Sequence, residues 1–291
     1  MSIQSKEKSK GSDNKTPFSL SISIVTYAAD LQLLQNTIKS LSHAIKFAQD
    51  RRLLGYAVLV IVDNGPDKRL DRFFRDVLPG IWPYGLKLIR PFKNAGFGAG
   101  HNLALKDIPA DSSEYHLILN PDVVLEEDAI SNALLYMAGC PDMGCLTPYA
   151  SWPDGSRQYL CKRYPSVFTL FLRGFAPEPF ARLFARRLAD YEFRGVTEHE
   201  NVDTIQIASG CFMFCRRRAL DEAGGFSNRF FLYFEDFDLS LRLSRGWRIA
   251  YVPSVRIEHS GGRSSLKGLR SIAMFARSAV TFFNMYGWKW F

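Results

Sequence analysis

The chain has 291 residues, with 37 Lys and Arg against 29 Asp and Glu, a formal net charge of +8, and 47% apolar content. That much apolar surface offsets chain entropy and excludes disorder as the main state. Five Cys spread along the chain exclude a disulfide framework and point to a reducing compartment. The polar start shows no secretory signal, and no run reaches the roughly 20 apolar residues of a spanning helix. A soluble or peripheral protein is expected.

Residues 1–16 read as a flexible tail ended by Pro17. Leu20 to Tyr27 alternates and is β-branched, which predicts a strand. Leu31, Leu34, Ile38, Leu41 and Ile45 have helical spacing, with Asp30 placed to cap the helix. Tyr56 to Val62 is a buried-strand pattern that stops at the Asp63-Asn64-Gly65-Pro66 turn. A weaker helix (Leu70 to Val77), a strand (Leu86 to Arg90), a Gly-rich turn (Gly96 to Gly100) and a short helix (Leu103 to Lys106) follow. Tyr115 to Leu119 reads as a strand ending at Asn120-Pro121-Asp122, with a helix from near Glu126. Later strands are expected at Ile205 to Cys215, Trp247 to Val252 and Val255 to Ile257. The repeated β-α order predicts an α/β fold with a mostly parallel central sheet and right-handed crossovers. Ligands in such sheets bind at the carboxyl ends of strands, where Thr26, Asp63, Asn94 and Asp122 would converge.

The positive charge is concentrated in two segments. Residues 157–187 carry seven bases against Glu178 alone, and residues 263–291 carry five bases and no acid. Both are rich in aromatic and aliphatic residues, a composition that suits an anionic membrane surface, a nucleic acid, or a solvated helix face. Over 266–283 the apolar positions Leu266, Leu269, Ala273, Ala276, Val280 and Phe283 predict an amphipathic helix. The ending Tyr286-Gly287-Trp288-Lys289-Trp290-Phe291 has the composition of an interface anchor. The alternative is a helix packed back on the domain.

The chemistry-bearing residues are few. The Gly96-Phe97-Gly98-Ala99-Gly100 turn lacks the spacing and position of a dinucleotide fingerprint, which disfavours hydride chemistry. Asp122 leaves a carboxylate at a strand end, where a hard cation shared with substrate phosphates could sit. Three carboxylates, Glu235, Asp236 and Asp238, lie within the aromatic run 231–239. An apolar surround raises carboxyl pKa values and suits a general base aimed at a hydroxyl. His259 follows a strand and precedes two glycines, and no Cys/His cluster has zinc spacing.

Taken together, Ser23 to Tyr27, Val62 to Gly65, Asn94 to Asn102, Leu119 to Asp122 and Tyr233 to Leu239 resemble the family 2 glycosyltransferases of GT-A fold, specifically the bacterial rhamnosyltransferase branch of O-antigen synthesis. The resemblance spans about residues 18–262. It implies a Rossmann-like GT-A domain over 17–262 with a basic acceptor-side insertion at 157–195; the spacing read above adds a C-terminal amphipathic extension at 263–291. It also implies inverting transfer from a nucleotide sugar, dTDP-β-L-rhamnose, to a lipid-linked glycan on the inner face of the bacterial plasma membrane. By this likeness Thr26, Tyr27, Asp63, Asn94, Gly96, Gly98, Asn102 and Asn120 belong to the nucleotide-sugar site. Asp122 and His259 would hold Mg²⁺ or Mn²⁺, with Asn120 standing where the family has the first Asp of its metal motif. Asp236 matches the catalytic base and Glu235 its neighbour. Competing readings are a same-fold transferase of UDP-galactose, UDP-glucose or UDP-galactofuranose, and an inactive membrane-peripheral binding protein. Nucleic-acid binding is suggested by charge alone and is not expected.

Overall fold

The computed structural model describes residues 17–28, 30–66, 69–195, 198–261 and 268–291. The predicted tail and the segment holding Arg263, Leu266 and Lys267 lie outside the described residues. In chain order the first half runs β1 (Phe18–Thr26), α1 (Leu31–Asp50), β2 (Leu54–Asp63), α2 (Arg69–Arg72), β3 (Gly85–Ile89), α3 (Phe97–Asp107), β4 (Tyr115–Leu119), β5 (Val123–Leu125), α4 (Ala129–Gly139), β6 (Met143–Ser151) and β7 (Arg157–Gln158). The second half runs α5 (Val167–Gly174), α6 (Glu178–Leu183), α7 (Ala185–Tyr191), β8 (Phe212–Arg216), α8 (Arg217–Ala223), α9 (Glu235–Leu243), β9 (Arg248–His259) and α10 (Leu269–Tyr286).

One sheet, ordered β3-β2-β1-β4-β8-β6-β9-β5 with β7 on β6, holds all the strands. Its first four strands are parallel, as the β-α alternation requires. Beyond β4 the sheet is mixed: β8 is antiparallel to both β4 and β6, β9 parallel to β6, and β5 antiparallel to β9. Leu20, Ile22 and Ile24 of β1 share one core with Leu34, Ile38 and Leu41 of α1 and Ile130 and Leu134 of α4. Asp30 caps α1 as expected, its Oδ1 accepting from the backbone N–H of Gln32 and Leu33. The other side of β1 carries Ser21 and Ser23, fully buried yet satisfied. Ser113, Ser21, His116, Ser23 and His101 form an unbroken side-chain hydrogen-bond chain with links of 2.7–2.8 Å.

Several expectations need correction. The strand read over Ile205 to Cys215 is only Phe212–Arg216, because the Gly210 N–H bonds the Asp236 carboxylate instead of a neighbouring strand. The glycine run is not a turn before a short helix; Gly98 and Gly100 already lie in α3. The stretch from Leu70 combines α2 with a π turn (Phe73–Val77) and a 3₁₀ turn (Leu78–Gly80). The helix placed near Glu126 begins at Ala129, after β5. The two strands read over 247–257 are one, β9.

The C-terminal helix packs one face on the domain. Phe282 and Phe283 are buried against Phe234 and Leu170, with Phe275 and Tyr286 packed alongside. The Tyr286 hydroxyl donates to Asp238 at 2.7 Å and Ser278 to the Leu232 carbonyl at 2.8 Å. Ala273, Ala276 and Val280 of the predicted apolar stripe instead face outward, so Phe283 alone of its described side chains is buried. The chain end then folds onto α5, where the Lys289 and Trp290 carbonyls accept from the N–H groups of Val167 and Phe168. Those N–H groups open a helix and have no partner within it.

Candidate active site

The carboxyl ends of β1 and β2 carry a closed polar cluster. Thr26 and Asp63 are register partners, and the Thr26 hydroxyl donates to Asp63 Oδ1 at 3.2 Å. The Gly65 N–H shares that oxygen at 3.0 Å, and Arg90 Nε reaches Oδ2 at 3.4 Å. Both side chains are buried, whereas the adjacent Tyr27 is 62% exposed and presents an open ring at the rim.

Asn64 ties this cluster to the glycine segment. Its amide donates to the Gly96 carbonyl at 3.0 Å and accepts from the Ala95 N–H at 3.2 Å, while Asn94 Oδ1 accepts from the Gly96 N–H at 2.8 Å. Gly96 has φ +87°, and a Cβ there would lie 2.3 Å from the Phe231 carbonyl oxygen, so only glycine fits. That same carbonyl accepts from the Phe97 N–H at 3.1 Å, which docks the start of α3 on the loop leading to Glu235. Gly98 lies flush against the Phe226 ring. Asn102 is engaged on both sides of its amide by the Phe226 backbone, at 2.7 and 2.8 Å. Gly98 and Asn102 thus hold α3 to the 226–231 loop through Phe226.

Asn120, Asp122 and His259 meet at the end of β4 and β9. His259 Nε2 stands 3.4 Å from Asp122 Oδ1 and 3.5 Å from Asn120 Nδ2. On the far side of the ring, Nδ1 faces Gln158 Oε1 at 2.7 Å, a contact that suits the tautomer with its hydrogen on Nδ1 and its Nε2 lone pair toward Asp122. Asp122 Oδ1 is buried without a hydrogen-bond partner. Two lone-pair atoms facing each other across such a gap suit a cation, with Gln158 orienting the imidazole. A Cβ on Gly261 would lie 2.4 Å from Asp122 Oδ2 and 2.6 Å from His259 Nε2, so the missing side chain keeps this gap open. Among the described residues no group of three or more His, Cys, Asp or Glu is arranged for a metal.

Glu235 and Asp236 open α9 immediately after Tyr233 and Phe234, both with left-handed backbone at φ +70° and +65°. Bulky residues rarely hold that conformation, and such strain concentrates at functional sites. Asp236 Oδ2 accepts from the Gly210 N–H at 3.0 Å and Oδ1 from Phe237 N–H at 2.9 Å. Burial raises both carboxyls, and repulsion from Asp236 helps push Glu235 up to about 8. The two backbone donors and Lys162 oppose the rise at Asp236. Asp238 plays a different part: it is fully buried, paired with Arg242 at 2.6 Å, and bonded to Tyr286. Gly210 and Cys211 join the two poles, since Cys211 O accepts from the Asn120 N–H at 2.9 Å. Burial pushes the Cys211 thiol up to about 12, and the Asp122 and Asp236 charges act in the same direction.

A family profile described as "Glycosyltransferase like family 2" matches residues 17–273. The chain belongs to this family. It is 28% identical over 216 residues to the Mycobacterium tuberculosis N-acetylglucosaminyl-diphospho-decaprenol L-rhamnosyltransferase, covering 71% of this chain and 67% of that protein. It is also 28% identical over 172 residues to rhamnosyltransferase WbbL of Escherichia coli, covering 56% and 60% of the two chains. Among solved structures it resembles GalNAc-T7 with UDP, GalNAc and Mn²⁺ (TM-score 0.58, 15% identity, 85% of this chain and 44% of that one). The Pyrobaculum calidifontis mannosyltransferase PcManGT with GDP-Man and Mn²⁺ is similar at TM-score 0.54 and 17% identity, over 85% of this chain and 58% of that one. The fold is therefore the GT-A α/β fold. The glycosyltransferase motifs were legible in the chain, but several residues that serve them were not. Asn64, Gln158, Gly210 and Gly261 act through backbone or amide contacts made only on folding. Gly261 had one cue, its place two residues after His259.

Proposed function

We propose that the protein transfers L-rhamnose from dTDP-β-L-rhamnose, with inversion, to a hydroxyl of a lipid-diphosphate-linked glycan. The observation that carries the reading is the pairing of two poles at one end of the sheet: half-buried Asp236 beside buried Glu235, and Asp122 facing His259. The names of the two relatives favour rhamnose as the sugar, and that of the Mycobacterium tuberculosis protein a lipid-diphosphate-linked acceptor. Asp236 takes the proton from the acceptor hydroxyl as that oxygen bonds the anomeric carbon. The bond from that carbon to the diphosphate breaks, and its electron pair leaves on the diphosphate. Tyr27, beside the Thr26–Asp63 cluster, offers its exposed ring to the nucleotide base. Asp122 and His259 would hold the divalent cation, Mg²⁺ or Mn²⁺, and Gln158 fixes the imidazole for it. When bound, such a cation compensates the charge that grows on the leaving diphosphate. The decisive experiment is a panel of nucleotide sugars with Mg²⁺ or Mn²⁺, scored by nucleoside diphosphate release. dTDP-rhamnose is expected to lead, and a faster UDP-sugar would overturn the donor assignment.

The same reading places the protein on the inner face of the bacterial plasma membrane. No helix among the described residues is long and apolar enough to cross a membrane. What supports a peripheral site is the union of the two basic segments into one surface. The chain end pairs with α5, and Phe168 meets Phe291 at 5.7 Å and Phe184 at 5.0 Å. Phe171, Phe175, Phe180, Leu183, Trp290 and Phe291 are exposed around it, with Arg182 and Arg186 among them. Each base near an anionic surface contributes about 1 kcal/mol. Reversing both in Arg182→Glu/Arg186→Glu should weaken binding to anionic vesicles by at least about tenfold in a sedimentation assay. Binding equal to wild type would remove this face from the membrane.

A further inference from the structure

A cavity of about 180 Å³ lies between α5, α7, α9 and α10, with Asp236 on its wall. It is below the roughly 300–1,000 Å³ of sites for drug-sized ligands, so it admits about one sugar ring rather than a whole nucleotide sugar. Its lining combines Phe234, Phe237 and Phe275 with Glu235, Tyr191 and Arg173. Two of these polar groups lack partners. The Tyr191 hydroxyl and Glu235 Oε2 make no hydrogen bond, although their residues are only 4% and 5% exposed. Buried polar groups left in this way cost stability, so a retained pair beside a strained catalytic loop calls for a ligand that satisfies both. Burial holds the Tyr191 phenol neutral, hence an O–H donor. Arg173 is half exposed and brings positive charge to the cavity.

We propose that this cavity is the acceptor-sugar subsite, and that Tyr191 and Glu235 grip two of the sugar's hydroxyls while a third is presented to Asp236. Apolar stacking on Phe237 and Phe275 with a few convergent polar groups is the chemistry that recognises a pyranose ring. α10 supplies Phe275, so the C-terminal helix is part of the site and not only a prop for it.

This inference rests on the transferase reading, and the experiment separates the two. Tyr191→Phe removes one oxygen and keeps the ring that packs the wall. With a lipid-diphosphate glycan acceptor, its acceptor KM should rise about tenfold, the worth of one such hydrogen bond, while the donor KM stays within twofold. A deoxy acceptor lacking the hydroxyl that Tyr191 contacts should lose about tenfold in kcat/KM with wild type and almost nothing with Tyr191→Phe. Glu235→Gln, run with the same set of deoxy acceptors, should relax selectivity at a different hydroxyl. Active wild type whose acceptor KM and deoxy-sugar selectivity are the same in Tyr191→Phe would overturn the subsite. Wild type that releases no nucleoside diphosphate from any sugar donor would overturn the transferase reading itself.

Discussion

The rim at β1 and β2 and the cavity at α9 are both built of buried polar side chains, but they are finished differently. At the rim every carboxylate oxygen of Asp63 has a donor, and Asn64 is bonded at both ends of its amide. At the cavity and at the neighbouring Asp122–His259 gap, Tyr191, Glu235 and Asp122 each keep a buried oxygen without a partner. A satisfied cluster rigidifies the scaffold, whereas an unsatisfied one lowers stability and waits for chemistry. The difference sets a satisfied rim against a cavity wall whose hydrogen bonding is incomplete.

The comparison can be broken most directly at Asp236. Asp236→Asn should reduce transfer by roughly 100- to 10,000-fold, the worth of general base catalysis, with donor affinity by calorimetry within a few-fold of wild type. Turnover within tenfold of wild type would remove Asp236 from the role of base. Next in size, Asp122→Ala and His259→Ala should each abolish metal enhancement of dTDP binding. Gln158→Ala should weaken metal affinity by about 10- to 100-fold, as loss of an outer hydrogen bond to a ligand does. Nucleotide binding that ignores both EDTA and these substitutions would leave the pole without a cation.

A stability contrast sharpens the same point. Asn64→Ala deletes two bonds that hold the glycine segment and should cost about 1–3 kcal/mol, read as a lower denaturant midpoint. Glu235→Gln should not. Because burial raises Glu235 to about 8, its contribution is present below the unfolded value and lost as pH rises through the folded one. At pH 8.5 Glu235→Gln should therefore melt at or above wild type. The smallest effect concerns acid. Burial lowers His101 to about 3 and holds His116 well below its usual range, so both stay neutral in the fold. The unfolded chain binds those protons below its own value of about 6.5, so stability falls as pH drops from 7 to 5. Glu235 titrates in the opposite sense over that interval, so the test is made in Glu235→Gln, where a flat urea midpoint would contradict the buried serine–histidine chain as neutral.

Much of this was present in the chain before folding. Alternation over Leu20–Thr26, the apolar run to Val62 and the cap at Asp30 determine local elements, because strand and helix periods are properties of neighbours in sequence. The parallel half of the sheet follows from their order, and the motifs around Asp63, Asp122 and Asp236 mark the family. The mixed half does not follow, since β8 inserts between β4 and β6 through pairings of residues about 70 to 100 positions apart. Nor could spacing reveal that Asn102 would hold Phe226, that α10 would bury the Phe282 face and expose Val280, or that Tyr191 would reach Asp236's cavity. Those outcomes depend on which long-range contacts compete for the same amide, ring or backbone N–H. That competition is decided only when tertiary packing brings the competitors together.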